Sequence, residues 1–153
     1  FNNDSSGGVI GQILSNNEIG QVFYSPSDNT IIGIETKFAT YARKNSCTLE
    51  IQIKDNETGE ISKLVTISGK EITDNEFQYI SVKPQNLEAG HSYAILFSSP
   101  DGEDGNALTI YRGADISSNN HNYATIDGEK QPFNLSMVVY SNSDIIPSIV
   151  KKE

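Results

Sequence analysis

"TLEIQIKDNETGEISKLVTIS", Thr48–Ser68, is the stretch that decides the fold class. Leu49, Ile51 and Ile53 fall on alternate positions and face one way, while Thr48, Glu50, Gln52 and Lys54 face the other. A period of two with one apolar side marks a half-buried antiparallel strand. The polar segment DNETGE, 55–60, then supplies a glycine-containing hairpin loop into a second strand, ISKLVTIS, 61–68.

Outward from this hairpin the pattern repeats. In TIIGIETKF, 30–38, Ile32, Ile34, Thr36 and Phe38 share one face and Ile31, Gly33, Glu35 and Lys37 the other. In GQVFYSP, 20–26, Val22 and Tyr24 flank Phe23, and Pro26 with Asp28-Asn29 closes the run. Further strands are expected at 77–83, 92–99, 107–112 and 133–141, with a shorter one at 123–127. YAILF, 93–97, is apolar on both faces, which predicts a central strand covered on both sides. The best helical window, NLEAGHSYAI, is broken by Gly90. Eight or nine strands with polar turns every ~8–12 residues predict an all-β, antiparallel β-sandwich of the jelly-roll kind. Residues 1–8, FNNDSSGG, read as a linker-like segment, 9–142 as the sandwich module and 143–153 as a C-terminal tail.

A chain of 153 residues is most simply one domain, able to bury a core without cross-links. Its 11 basic and 20 acidic residues give a net charge of −9, which argues against a nucleic-acid surface or an anionic membrane as partner. No run approaches 18 apolar residues, so no transmembrane helix is expected. The chain starts at Phe1 without Met or a basic-then-apolar leader, and is expected to be an excised segment of a larger protein. Cys47, the single cysteine, has no disulfide or CxxC partner and is expected to serve as a small buried hydrophobe.

Motifs for catalysis are missing: there is no nucleophile elbow, H-E-x-x-H, phosphate-binding glycine loop or dinucleotide fingerprint. His91 and His121 are the only histidines, and His91, following Gly90 at the start of a strand, reads as structural. Asp28, Asp55, Glu57, Asp101, Glu103 and Asp104 fall in turns, where acids are solvated, and no enzyme is expected. A structural calcium is weighed at SPDGEDGN, 99–106, where Asp101, Glu103, Asp104 and Asn106 offer hard oxygens, and near Ser25–Asn29. The D-x-D-x-D-G order and terminal Glu are missing, and turn chemistry, with side chains capping backbone N–H groups, explains every residue. No cofactor is assigned.

Polysaccharides are held by aromatic faces together with amides, carboxylates and guanidinium groups. Tyr41, Arg43, Asn45, Asp101, Asn106, Tyr111, Asn119, His121, Asn122 and Tyr123 supply these groups at loop–strand junctions. If Leu108 and Ile110 face the core, Tyr111 is an exposed aromatic on the opposite face. DISSNNHNY, 115–123, is a polar stretch longer than any strand connection needs, a sign of a functional or a mobile loop. Asn3, Asn56 and Asn134 fit the glycosylation acceptor pattern, and with Asn134 inside a strand they read as chance matches.

GQVFYSPSDNTIIGIETKFATYARKNSCTLEIQIKD, 20–55, followed by LFSSPDGEDGNALTIY, 96–111, resembles a family of bacterial jelly-roll domains similar to galactose-binding-type carbohydrate-binding modules. The shared pattern is Q-x-F-x-S-P, then A-T-Y-x-R-x-N-S-G-T-L, then S-P-D-(x)-G-N-A-x-T-(aromatic), over most of residues 20–140. Two positions depart from it: Cys47 stands where Gly is usual, in a turn that normally tolerates positive φ, and Tyr111 stands where the aromatic is frequently Trp. Such domains occur in cell-surface and glycan-assembly proteins, often appended to multi-span membrane proteins or glycosyltransferases. The resemblance implies a monomeric, non-catalytic module at a bacterial cell surface that binds a polysaccharide or oligosaccharide and tethers a larger, membrane-anchored protein to it. It places the site at loops on one end, with Arg43, Asn45, Asp101 and Asn106 bonding hydroxyls and Tyr41, Tyr111 and Tyr123 offering apolar faces. Two alternatives stand beside it. One is a ligand-free spacer in which Arg43 pairs with a turn acid and Asn45 closes its own turn; the other is a small glycan hydrolase using turn carboxylates.

Overall fold

The computed structural model of the chain describes residues 1–3, 8–116 and 121–142. In chain order its strands are β1 (Asn2–Asn3), β2 (Gly8–Ile13), β3 (Ile19–Tyr24), β4 (Asn29–Ala39), β5 (Thr48–Asp55) and β6 (Ile61–Ser68). After a single 3-10 turn at Gly69–Glu71 come β7 (Phe77–Leu87), β8 (Ser92–Ser98), β9 (Leu108–Asp115), β10 (Tyr123–Ile126), β11 (Glu129–Lys130), β12 (Phe133–Leu135) and β13 (Met137–Ser141). Every ladder between named strands is antiparallel. One sheet runs β11-β10-β3-β8-β5-β6; the other follows β1-β13-β4-β9-β12, with β2 on β9 and β7 on β4. This is the expected all-β antiparallel sandwich, and no helix among the described residues is long and apolar enough to cross a membrane.

The alternation in β4 and β5 sets the inner layer, except at the start of β4. There a register shift between Ile31 and Gly33 buries Ile31 in the core and leaves Ile32, expected inside, half-buried. Ile34, Thr36 and Phe38 from the seven-stranded sheet, and Leu49, Ile51 and Ile53 from the six-stranded one, are buried between the layers. Phe38 on β4 meets Phe97 on β8 edge-to-face, ring centroids 6.1 Å apart, which ties the two sheets through the centre. β8 does lie between β3 and β5, but Leu96 on its outer side is half-buried, so its cover on that side is partial.

One polar side chain sits inside this core. Gln21 lies between Ile19 and Phe23 on the inner side of β3 and is fully buried. Its carbonyl accepts the Leu135 N–H at 2.7 Å, and its amide donates to Asn134 Oδ1 at 2.8 Å and to the Val22 carbonyl at 2.9 Å. Because β3 and β12 belong to different sheets, this amide is a directional cross-link where apolar packing alone is non-directional.

Two elements depart from the sequence pattern for local reasons. β2 carries Gly8 and Gly11, both at φ 133, and its ladder to β9 shifts register between Val9 and Gln12, so no clean alternation marks it. β7 continues past residue 83 through Pro84, which the ladder tolerates because β7 is an edge strand. The register shift opposite Ile31 and Gly33 passes over Val82, Lys83 and Pro84, so Pro84 occupies a bulge. The segment 1–8 is also more than a linker at its ends. Asn2 and Asn3 pair with Val138 and Met137, Phe1 packs against the core, and Gly8 opens β2.

Replacing Gln21 by Leu keeps the volume but orphans the buried Leu135 N–H. The expected loss is about 1–3 kcal/mol, read as a lower urea midpoint with an unchanged slope; no loss would mean that the amide is not a cross-link.

Candidate functional site

The connection from β4 to β5 begins with a tight turn. Tyr41 and Ala42 have φ of 58 and 55, and the Arg43 N–H donates to the Thr40 carbonyl at 3.2 Å. Two successive positive φ values closed by this bond are the pattern of a type I′ turn, which ordinarily carries Asn-Gly. With a Cβ at both positions it stores about 1 kcal/mol or more per residue. Asp74 accepts the Thr40 N–H at 2.7 Å, and the amide of Asn45, itself 1% exposed, donates to the Thr40 carbonyl at 3.1 Å. Arg43 Nε donates to Asn45 Oδ1 and Nη2 to the Ala107 carbonyl, both at 3.1 Å. The left-handed positions therefore lie at 41–42 and not at Cys47, which is 1% exposed and belongs to the core.

The second segment, 99–107, folds onto the first. Asn106 Oδ1 accepts the N–H groups of Ser46 at 2.7 Å and Cys47 at 3.1 Å, while its amide donates to Ser46 Oγ at 2.9 Å. Asp101 accepts from the Thr48 N–H at 2.7 Å and from its hydroxyl at 3.2 Å. The amide of Thr48, outweighing partial burial, holds the Asp101 carboxyl below the usual range. Ser99 Oγ donates back to the Thr48 carbonyl at 2.7 Å. Gly105, at φ 86, supplies the left-handed turn residue that returns the chain to Asn106.

Arg43, Asn45, Asp101 and Asn106 are thus brought together at one end, as their pattern implied. Their polar atoms bond to one another and to backbone of the two segments instead of converging on a free space. Tyr41 is 41% exposed and carries the Arg43 guanidinium 4.8 Å from its ring centroid. Tyr111, half-buried on the outer side of β9, donates its hydroxyl to Asn75 Oδ1 at 2.5 Å, and Lys37 Nζ lies 4.6 Å from its ring. Tyr123 is not part of this end. It pairs with Val22 on β3, toward the 24–29 loop, with Lys130 Nζ 4.6 Å from its ring. Asn122 caps the Tyr24 N–H, His121 is exposed, and Asn119 lies outside the described residues.

The acidic turns behave as caps. Asp104 accepts from Gln12 Nε2 at 3.1 Å, and Asp28 accepts the Ala89 N–H at 2.9 Å. Among the described residues no three His, Cys, Asp or Glu side chains are gathered to hold a metal ion. Burial pushes the Cys47 thiol up, which disfavours the thiolate. His91 is at the far end of β5, where it meets Asp55, roughly 25 Å away at the rise of an extended strand.

Sequence reasoning overlooked the outer side of the seven-stranded sheet. Val9 pairs with Tyr111, Lys37 with Phe77 and Glu35 with Tyr79, and residues directly opposite in a ladder project from the same side. With Lys37 over Tyr111, a row Val9–Tyr111–Lys37–Phe77 crosses four strands. Val9 is 47%, Phe77 37% and Tyr79 39% exposed. Tyr79 lies over Gly33, where a Cβ would come within 2.1 Å of the phenol oxygen, and its ring is 5.5 Å from that of Tyr140. The signal was present in FQYISVK, where Phe77 and Tyr79 alternate with the buried Ile80 and Val82. The 40–48 connection meets this surface, because Asp74 accepts the Thr40 N–H and its neighbour Asn75 accepts the Tyr111 hydroxyl.

No protein-family model matches the chain, and no curated protein sequence matches it. Among solved structures it is similar to the clostridial cysteine protease Cwp84 after propeptide cleavage, with a TM-score of 0.57 and 13% identity over 85% of this chain. This chain spans 37% of that protein's length. At such identity the likeness concerns the fold alone.

Asn106→Ala should lower stability by about 1–3 kcal/mol by leaving the Ser46 and Cys47 N–H groups without their acceptor, measured by urea unfolding. Ala42→Gly should raise it by up to about 1 kcal/mol, since glycine has no left-handed penalty. A neutral result at both positions would overturn the assignment of 40–48 and 99–107 as a strained turn held by a clamp.

Proposed function

We propose that this chain is a non-catalytic module that binds a neutral glycan on the aromatic outer side of its seven-stranded sheet. The observation that carries the reading is the grouping of Phe77, Tyr79 and Tyr111 on a surface that an antiparallel sandwich ordinarily keeps polar. Aromatic faces stack on the C–H surfaces of sugar rings, and Lys37 and Asn75 beside them offer donors to hydroxyls. The site expected at Arg43, Asn45, Asp101 and Asn106 becomes support for this surface, holding Tyr41 at its edge. The absence of catalysis is inferred from the burial of Cys47, its separation from His91 and the capping role of the turn acids. At a bacterial cell surface, as the family resemblance implies, such a module would tether a larger protein to its glycan and raise effective concentration.

A second reading, a ligand-free spacer, is favoured by the internal bonding of the 40–48 and 99–107 segments. Calorimetry and affinity electrophoresis with bacterial wall polysaccharides and soluble β-glucan and galactan oligosaccharides separate the two. Saturable millimolar or tighter binding is expected, reduced by about 5- to 30-fold by Phe77→Ala or Tyr79→Ala, since a stacking contact is of the order of 1–2 kcal/mol. Silence of the native chain toward every glycan, or binding unaffected by both substitutions, would favour the spacer.

A further inference from the structure

The end of the sandwich opposite the 40–48 turn is organised around one histidine. His91 Nδ1 lies 2.9 Å from Asp55 Oδ2, its Nε2 lies 3.2 Å from Glu88 Oε2, and its ring stacks on Tyr93 at 6.1 Å. Both ring nitrogens therefore face carboxylates. A neutral imidazole has a single N–H and can donate to only one of them; the imidazolium donates to both.

The segments gathered here come from three places in the chain. The Asp55 carboxylate also accepts the N–H groups of Glu57 and Thr58, which shapes the 55–60 hairpin. The 88–91 turn closes with the His91 N–H on the Glu88 carbonyl, and the Glu88 N–H donates to the Tyr93 hydroxyl. The turn is also tied to the 24–29 loop, through Gly90 N–H to the Ser25 carbonyl and Ala89 N–H to Asp28. Glu88 lines two hollows at this end, one of 180 Å³ with Asp55, Glu60 and Tyr93, the other of 560 Å³ with Asp28, Asn29, Asn86 and Asn142.

We propose that His91, anchored by Asp55 of the 55–60 hairpin, is a proton-operated latch on the Glu88 side chain that sets the shape of the hollows Glu88 lines. When the proton leaves, it leaves to solvent from Nε2, because the Glu88 side chain is 73% exposed and that of Asp55 only 16%. Nδ1–H stays on Asp55 and the Glu88 carboxylate is released, while the turn keeps its bonds to Asp55, Tyr93, Asp28 and the Ser25 carbonyl. Among the described residues the charged groups acting on the ring are Asp55 and Glu57 on the hairpin and Glu88 on its own turn, while Asp28 on the 24–29 loop acts on the neighbouring Tyr93. All are acidic, so each group acting on the ring favours its protonated form.

The sign follows from these partners. The hydrogen bond to Asp55, against some burial, raises the His91 value above the ordinary imidazole one, about 6.5. Burial alone would raise the Asp55 carboxyl, and the bonds from His91, Glu57 and Thr58 more than offset it, so it sits below its ordinary range. Stability from the latch is thus complete below the ordinary imidazole value and lost as pH rises through the raised one. On the acid side it is lost as pH falls through the depressed Asp55 value.

Nitrogen-15 NMR of the imidazole, on the intact chain from about pH 5 to 9, tests this directly. Expected are a midpoint above that of a free histidine, a neutral form protonated on Nδ1, and movement of the Glu88 and Gly90 amide resonances with the same midpoint. The exposed substitution Glu88→Gln should lower the midpoint and suppress the amide movement without unfolding the chain. A neutral tautomer protonated on Nε2, an unraised midpoint, or Glu88 and Gly90 resonances indifferent to the titration would overturn the latch.

Discussion

Two backbone N–H groups at the ragged start of β5, those of Ser46 and Cys47, precede the β5–β6 ladder, which begins where Thr48 meets Ser68. Asn106 supplies their acceptor from 59 residues beyond Cys47. An orphaned N–H on the buried Cys47 would cost more than most single contacts contribute, which favours the 99–107 segment lying against the 40–48 connection. With that arrangement go the burial of Asn45, the reach of Arg43 to the Ala107 carbonyl, and the holding of Tyr41 and Ala42 in a left-handed turn.

The residues of the shared sequence pattern play internal roles of the same kind. Gln21 of Q-x-F-x-S-P crosses between the sheets, and Phe23 fills the core. Thr40, Arg43 and Asn45 of the second piece close the turn; Ser99, Asp101 and Asn106 of the third clamp it. A side chain that serves the backbone is required wherever the fold is required, whatever surface the fold displays. Such a pattern marks architecture, while the proposed recognition rests on residues outside it, such as Phe77 and Tyr79. Sites grafted onto a common frame behave in this way.

The two ends of the sandwich handle charge differently. At the 40–48 end cations lie on aromatic rings, Arg43 on Tyr41 and Lys37 on Tyr111, contacts worth about 0.5–1 kcal/mol each at exposed positions. At the opposite end a single imidazole stands among carboxylates. In a chain of net charge −9 that imidazole is a cation only while it is protonated.

Period-two alternation was enough to determine the sheets, because a half-buried strand must place apolar side chains on every second residue. β4 to β10 and the 133–141 run were legible for that reason, and β2 was not, since Gly8 and Gly11 interrupt the alternation. The sequence also showed that 40–48 and 99–106 are rich in polar and aromatic groups, and topology did bring them together. Which atoms they would satisfy could not be read from spacing. Hydrogen-bond partners of a polar side chain are set by register and by the approach of distant segments, as for Asn106 with Ser46 or Gln21 with Leu135. Only the tertiary structure decided that the polar cluster is bonded inward, that Tyr123 lies toward the other end, and that four strands align Val9, Tyr111, Lys37 and Phe77 into one outward-facing row. Side-chain direction within a strand is a local property, whereas a surface is made by neighbours far apart in the chain.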